Sequence, residues 1–407
     1  MASAPLLYRA SLVLPISAPP IVDGGVLVAN GRIIETGSWS ESLRRRAACP
    51  VRDLGDVVLL PPLVNAHTHL ELSHLAFLGK SDGVESFTQW IGSLLAARSA
   101  SRAGEEEIVA AGRRQLAAME ESGIGLVGDI GNSGFGRRLG ERYRGIHCFF
   151  HEKLGLSGRA ARRVLFGLDS RSPQQVVTAH APYSCHARLI TGLKERCRRL
   201  GHTFSLHVAE TAAELRLLRS GDGEFRDFFE KHGFWDDSFQ IPGIDINGSV
   251  RYLDRLGVLD AGTLCVHGVH VDDGEAAILA ARGARVCLCP GSNRFLGVGT
   301  APADRYLRHN ILPALGTDSA ASNPRLSLWR EMRILREEHP GIPPSTILAM
   351  ATRGGAEALG YADRLGSLSP GKSATMLAIP VDTGLGPGEI TEFLVCGDTR
   401  VRPRWIR

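Results

Sequence analysis

No two of the eight cysteines, at positions 49, 148, 185, 197, 265, 287, 289 and 396, form a CxxC pair. That spacing excludes a CxxC-based centre and a dense disulfide framework. Several cysteines sit inside apolar runs such as TLCVHG and RVCLCP, where the free thiol behaves as a small hydrophobe. Such usage points to a reducing compartment, the cytoplasm. No segment approaches the roughly 20 apolar residues of a membrane span. The N-terminus, MASAPLLYRASLVLP, lacks a charged stretch followed by a continuous apolar core, so no signal peptide is expected. Strong charge of one sign is missing too: 47 basic and 43 acidic residues give a net charge of +4, well interspersed. This argues against a nucleic-acid groove or a membrane surface as partner. Short basic clusters, Arg44-Arg45-Arg46 and Arg162-Arg163, read as solvated helix faces.

What is present is a chain of 407 residues, 43% hydrophobic, enough for one large core and a small companion. The first sixty residues alternate apolar and polar in short segments, with Asn30-Gly31 as a hairpin signal. The tail from GSLSPGKSATMLAIP onward has the same texture. Both ends together predict one small β-sandwich domain, residues 1–60 and 363–407, around a different middle, 61–362. That middle repeats a short apolar run followed by a helical stretch. Eight runs recur: VVLLPPLVNAH, IGLVGDI, IHCFFHE, QVVTAH, FSLHVAE, TLCVHG, RVCLCPGS and ILPALGTD. Continuous apolar runs alternating with helices such as EEEIVAAGRRQLAAMEE indicate a parallel sheet. Eight of them predict an α/β fold of the (β/α)₈ TIM-barrel type, although periodicity alone leaves a doubly wound sheet open.

Chemistry in such barrels sits at the carboxyl ends of the strands. Those ends carry His67, His69, Asp129, Glu152, His180, His207, His267 and Asp318. Five of the fourteen histidines fall in this set. His67 and His69, two apart on a strand, point to one face and suit one divalent ion. His207 alone reads equally as a bonded core histidine, and Asp318 alone as a helix cap. Together, on strands one, five and eight of a closed ring, the four converge on one point. Three imidazoles and a carboxylate without thiolate suit Zn²⁺ first, with Fe²⁺ or Mn²⁺ compatible. Glu210, three residues after His207, reaches the mouth only if the chain turns at Val208-Ala209. There a carboxylic acid could move protons; otherwise it caps the following helix. His180 and His267 read either as buried bonded residues or as parts of the site.

The ordered motifs HTH, HAPYS, HVAET, HGVH, CPGSN and GTDSAASN resemble the amidohydrolase superfamily. The branch most similar holds guanine, adenosine-type and S-adenosylhomocysteine deaminases and the s-triazine chlorohydrolases. The resemblance covers essentially the whole chain. It implies His67, His69, His207 and Asp318 as metal ligands, Glu210 as proton shuttle, His267 beside the hydrolytic water and His180 in contact with substrate. Binuclear members place a lysine at the end of strand four; here that position is His180, which implies one metal. SPGKSATM has Thr375 where the family usually has Asp, in the small domain. The implied reaction is hydrolytic deamination of an aminated heterocycle by metal-activated water, with Glu210 delivering a proton to a ring nitrogen and Asp318 and His267 serving the water.

HTHLELS, the aromatic insertion EFRDFFEKHGFWDDSFQIPGIDINGSV and the loop SNRFLGVG resemble most the aminodeoxyfutalosine deaminases of menaquinone biosynthesis within that branch. On that resemblance the substrate is 6-aminodeoxyfutalosine. Glu71 is expected to bond substrate hydroxyls such as those of a ribose, against its reading as a solvated loop carboxylate. Arg294 is expected to meet the substrate's benzoate. The insertion's rings either close over an aromatic substrate or pack a helical turn onto the barrel. Another aminated or chlorinated heterocycle is the alternative substrate, and a non-catalytic scaffold on the same fold the remote one. The family also makes a homodimer an expectation.

Overall fold

The structure is a computed structural model that describes residues 4–40, 49–80, 84–168, 174–239, 246–382, 384–397 and 401–406. The cluster Arg44-Arg45-Arg46 lies outside the described residues.

Five strands open the chain: β1 (Leu6–Val13), β2 (Ile21–Ala29), β3 (Arg32–Ser38), β4 (Val51–Asp53) and β5 (Val57–Leu60). Asn30 and Gly31 both take positive φ, 53° and 70°, which matches the right-handed twist of the β2–β3 hairpin. Two strands close the chain, β15 (Met376–Pro380) and β16 (Arg404–Ile406). The terminal unit is one continuously bonded seven-stranded mixed sheet, in the order β16-β15-β5-β1-β2-β3 with β4 beside β1. Side chains alternate across it, as period-two strands must. Val57 and Leu59 pack with Val26, Ile33 and Met376 on one face. Val58 and Leu60 join the main core on the other.

The run VVLLPPLVNAH is two strands rather than one. Proline offers no N–H to a ladder, so Pro61-Pro62 ends β5 and lets β6 (Leu63–His69) start in a different sheet. There follow β7 (Ile124–Gly131), β8 (Ile146–Lys153), β9 (Val177–Ala179), β10 (Phe204–Val208), β11 (Thr263–His267), β12 (Arg285–Leu288), β13 (Ala314–Leu315) and β14 (Asp318–Ser319). All pairs within this group are parallel, in the orders β14-β6-β7-β8-β9 and β10-β11-β12-β13. The two groups meet at two seams. His207 N–H donates to the His180 carbonyl at 2.9 Å between β9 and β10, and β13 and β14 are consecutive pieces of the eighth run. Helices fill the intervals, including Glu105–Glu121, which buries Val109, Leu116 and Met119 and starts on three glutamates that suit its positive end.

The eighth run breaks at Gly316-Thr317. A Cβ at Gly316 would stand 2.8 Å from the His67 carbonyl oxygen and 2.9 Å from the Cys287 sulfur, so only glycine lets β6 approach this closely. Thr317 N–H then donates to that same carbonyl at 3.0 Å.

Candidate active site

The breaks and ends of these strands bring the expected ligands together. His67 is fully buried, and neither of its ring nitrogens has a hydrogen-bond partner among the described residues. His69 Nε2 lies 3.3 Å from His207 Nε2 and 3.5 Å from Asp318 Oδ1, and His67 Nε2 lies 3.6 Å from that same oxygen. Donors about 2.0–2.1 Å from a tetrahedral zinc stand about 3.3 Å apart, so these separations are those of a ligand cage. Two members of the cage have their other polar atom already engaged. His207 Nδ1 lies 2.9 Å from the His180 carbonyl, which makes it the protonated nitrogen and leaves Nε2 as a lone pair. Asp318 Oδ2 accepts from Ser292 Oγ at 2.6 Å and Ser322 Oγ at 2.7 Å, which turns Oδ1 inward.

Electrostatics agree with ligation, which needs neutral imidazole and ionised carboxylate. Burial holds His67 below the ordinary histidine range and His207 well below it. Burial works to raise the Asp318 carboxyl, but the proximity of His67 and of the other histidines outweighs it and holds the acid well below its usual range. Glu152, His180 and His207 also approach one another. Because His207 Nδ1 is spent on a carbonyl, this second grouping lacks an independent ligand for a second ion.

Glu210 does reach the mouth. Ala209 takes φ +52°, a left-handed turn that ends β10 and swings the next side chain inward. The cap of the following helix is Thr211, whose hydroxyl accepts Glu214 N–H at 3.1 Å, so Glu210 is free for the cavity. Burial, with the charges of Asp318 and Glu214, pushes the Glu210 carboxyl well above its usual range. Its Oε1 stands 3.4 Å from His267 Nε2. His267 Nδ1 bonds Asn293 Oδ1 at 2.9 Å, and burial lowers the imidazole, leaving a neutral ring with Nε2 unpaired. Of seven non-glycine residues with positive φ among those described, three are Ala209, His267 and Asp318. Such geometry costs about 1–3 kcal/mol each and is tolerated where function requires it.

His69, His207, Glu210, His267 and Asp318 line a cavity of about 170 Å³ that also includes His180, Tyr183, Glu152, Asn132, Arg98 and Trp90. His180 bonds Ser184 Oγ through Nδ1 at 2.6 Å, and burial lowers its pKa to about 3. Two expectations need correction. Glu71 does not line the cavity: its oxygens accept Asn132 N–H at 2.9 Å, Ser133 N–H at 3.0 Å and Ser133 Oγ–H at 2.6 Å. Both of its oxygens are engaged by the loop after β7, away from the cavity. Arg294 also lies outside, because its helix, Pro290–Leu296, turns Ser292 and Asn293 inward. The Arg294 guanidinium instead pairs with Glu337 and Glu338 at 2.9 and 3.1 Å. Asp129 is structural, accepting Leu70 N–H and facing His147 Nε2 at 2.9 Å. Four participants were not singled out from the sequence: Glu214, Asn293, Asn132 and Arg98. Asn293 closes the CPGSN motif and Glu214 lies three residues beyond HVAET, whereas Asn132 and Arg98 carried no local signal.

The amidohydrolase family model matches residues 58–399. An aminodeoxyfutalosine deaminase of Deinococcus radiodurans is 30% identical over 352 residues, 83% of this chain and 81% of that protein. A 5-methylthioadenosine/S-adenosylhomocysteine deaminase of Moorella thermoacetica is 28% identical over 392 residues, 92% and 85% of the two chains. The crystal structure of a zinc-bound adenosine deaminase from Xanthomonas campestris superposes with a TM-score of 0.75 at 25% identity, covering 96% of this chain and 88% of that one. With its barrel, its ligand cage and this match, the chain belongs to the amidohydrolase family, the hydrolases of carbon–nitrogen bonds.

Proposed function

We propose that the protein is a metal-dependent hydrolytic deaminase of an aminated purine nucleoside, converting 6-aminodeoxyfutalosine to futalosine and ammonia, a step of menaquinone biosynthesis. The observation that carries deamination is the pairing, 3.4 Å apart beside Asp318, of the buried Glu210 carboxyl, whose pKa burial pushes up, with the buried His267 imidazole, whose pKa burial lowers. A divalent ion, zinc first among the candidates, fits the cage of His67, His69, His207 and Asp318 and would make water nucleophilic near neutral pH. Glu210 donates its proton to the ring nitrogen next to the amine-bearing carbon, which makes that carbon electrophilic. His267, its Nδ1 anchored on Asn293, accepts a proton from the attacking water through Nε2. Asp318, with Oδ2 held by two serines, orients the same water through Oδ1. Transfer of that proton to the amine releases ammonia, and the remaining hydroxyl proton passes back to Glu210, which leaves the carbonyl form of the ring. His180 presents Nε2 to the substrate.

The finer assignment is supported by a second cavity of about 570 Å³ that shares Ile91, Leu95, Leu154, His180 and Tyr183 with the catalytic one. Phe228, Phe229, Phe234 and Trp235 wall it. Much of the aromatic insertion therefore serves two ends: Phe225, Phe228 and Phe229 are buried against the barrel, and four of the insertion's rings, Phe228 and Phe229 among them, face an opening large enough for a nucleoside's aromatic substituent. Residues 240–245 of the insertion lie outside the described residues. The curated relative named for aminodeoxyfutalosine supports the same reading.

Ammonia release measured across aminodeoxyfutalosine, adenosine, 5-methylthioadenosine, S-adenosylhomocysteine, guanine and a triazine tests it. The expected order puts aminodeoxyfutalosine first. Turnover no faster than that of adenosine or guanine removes this substrate and leaves the second reading, a methylthioadenosine or S-adenosylhomocysteine deaminase, favoured by the Moorella relative.

A further inference from the structure

On the wall formed by β7, β8 and the helix Phe87–Ala100, four polar side chains are joined in a row. Glu71 Oε1 lies 3.7 Å from an Arg98 guanidinium nitrogen. Arg98 donates to Asn132 Oδ1 at 3.4 Å, and Asn132 Nδ2 donates to Glu152 Oε2 at 2.8 Å. Arg98, Asn132 and Glu152 line the catalytic cavity, whereas Glu71 lies behind them. The second Glu152 oxygen, Oε1, is buried without a hydrogen-bond partner among the described residues, an expensive state for a carboxylate unless something else supplies a donor. Nearby His207 Nδ1, 3.7 Å away, gives its proton to a carbonyl and cannot supply one. Arg98 is the one lysine or arginine among the described residues lining this cavity, and its guanidinium offers five donors. Its charge is offset by Glu71, so it needs no anion. The wall thus presents one acceptor and one donor group, tied together through a single amide, to a neutral ligand.

We propose that Glu152 and Arg98 form a subsite for a vicinal diol, the 2′- and 3′-hydroxyls of the nucleoside's sugar, with Glu71 and Asn132 positioning the pair. Each hydroxyl both donates and accepts, so one hydrogen bond to Glu152 Oε1 and others from Arg98 satisfy both partners. Glu152 stands on β8, three strands round the ring from Asp318 on β14, which separates the sugar from the reacting carbon. The role expected of Glu71 therefore passes to the residues in front of it. This inference rests on the nucleoside deaminase reading.

The test is kcat/KM of the zinc-loaded protein for adenosine and for 2′,3′-dideoxyadenosine. Wild type is expected to prefer the diol by about 100-fold, the loss typical of hydrogen bonds to charged partners. Glu152→Gln, which converts one acceptor to a donor, and Arg98→Gln, at a half-exposed position, should each compress that ratio by about tenfold. Glu71→Gln should compress it too, through KM for adenosine rather than kcat. Equal use of both nucleosides by wild type, or an unchanged ratio in both front-wall variants, overturns the subsite while the deaminase reading stands. Turnover of neither nucleoside, nor of aminodeoxyfutalosine, overturns both together.

Discussion

Glu214 accepts the backbone N–H of Ala209 at 2.9 Å and that of Glu210 at 3.0 Å, and also the Ser249 hydroxyl at 2.6 Å. One fully buried carboxyl, raised to about 7 by burial, thus holds the left-handed turn that aims Glu210. Glu214→Ala leaves three buried donors unpaired. It should cost about 1–3 kcal/mol in chemical denaturation and lower kcat at least tenfold. Glu214→Gln, which keeps one acceptor, should recover part of both.

Glu210→Gln should reduce kcat by about 10²–10⁴-fold, the range for a positioned acid–base group, with metal content unchanged. Steady-state rates beside elemental analysis check it.

The pH profile should be bell-shaped. Glu210 works protonated, and burial raises its pKa, so activity falls as pH rises through that raised value. His267 works neutral, and burial lowers its pKa, so activity falls as pH drops through that lowered value. For stability the sign follows from the Glu210 shift: a folded-state pKa above the unfolded one favours the fold at low pH and less so as pH rises. Glu210→Gln removes that penalty. The variant should therefore melt higher than wild type at pH 8, with the gap closing below about pH 4.5. Equal melting temperatures at pH 8 would contradict the assignment of a neutral acid at 210.

Removing metal by chelation should lower the melting temperature, and added zinc should restore it, because the cage binds an ion only when folded. Elemental analysis should find about one ion per chain. Two tightly held ions would contradict the argument from His207 Nδ1.

Arg294→Ala should leave kcat/KM for every nucleoside within about twofold, since the guanidinium spans the exposed Glu337 and the half-buried Glu338, outside the cavity. Exposed pairs of this kind contribute about 0–1 kcal/mol.

The convergence of His67, His69, His207 and Asp318 was legible in the sequence because it depends on strand ends, and a short apolar run announces its own end. His67, His69, His207 and Asp318 each close such a run, and the parallel ring brings them together. Glu210 posed a question that spacing could not answer, because the outcome turned on the φ of Ala209. Glu71 and Arg294 were misread for a common reason: a charged loop residue next to a motif has many possible partners, and the nearest won. For Glu71 those were the amides of Asn132 and Ser133, some sixty residues away in the chain. Arg98 and Asn132 were invisible because their alignment depends on how a helix and a loop meet. The Pro61-Pro62 break was readable from proline's missing donor, yet the apolar run on both sides hid it.

Strand β5 is bonded on one side to β1 and on the other to β15, which lies more than three hundred residues later in the chain. During synthesis its outer edge therefore stays unmet until the barrel is complete. A chain terminated after residue 362 would carry the full catalytic ring and still expose a naked, apolar strand edge, Val57–Leu60, ready to recruit another molecule. Such a fragment should self-associate in sedimentation or light-scattering measurements, and adding a peptide spanning 363–407 should return it to solution as single copies.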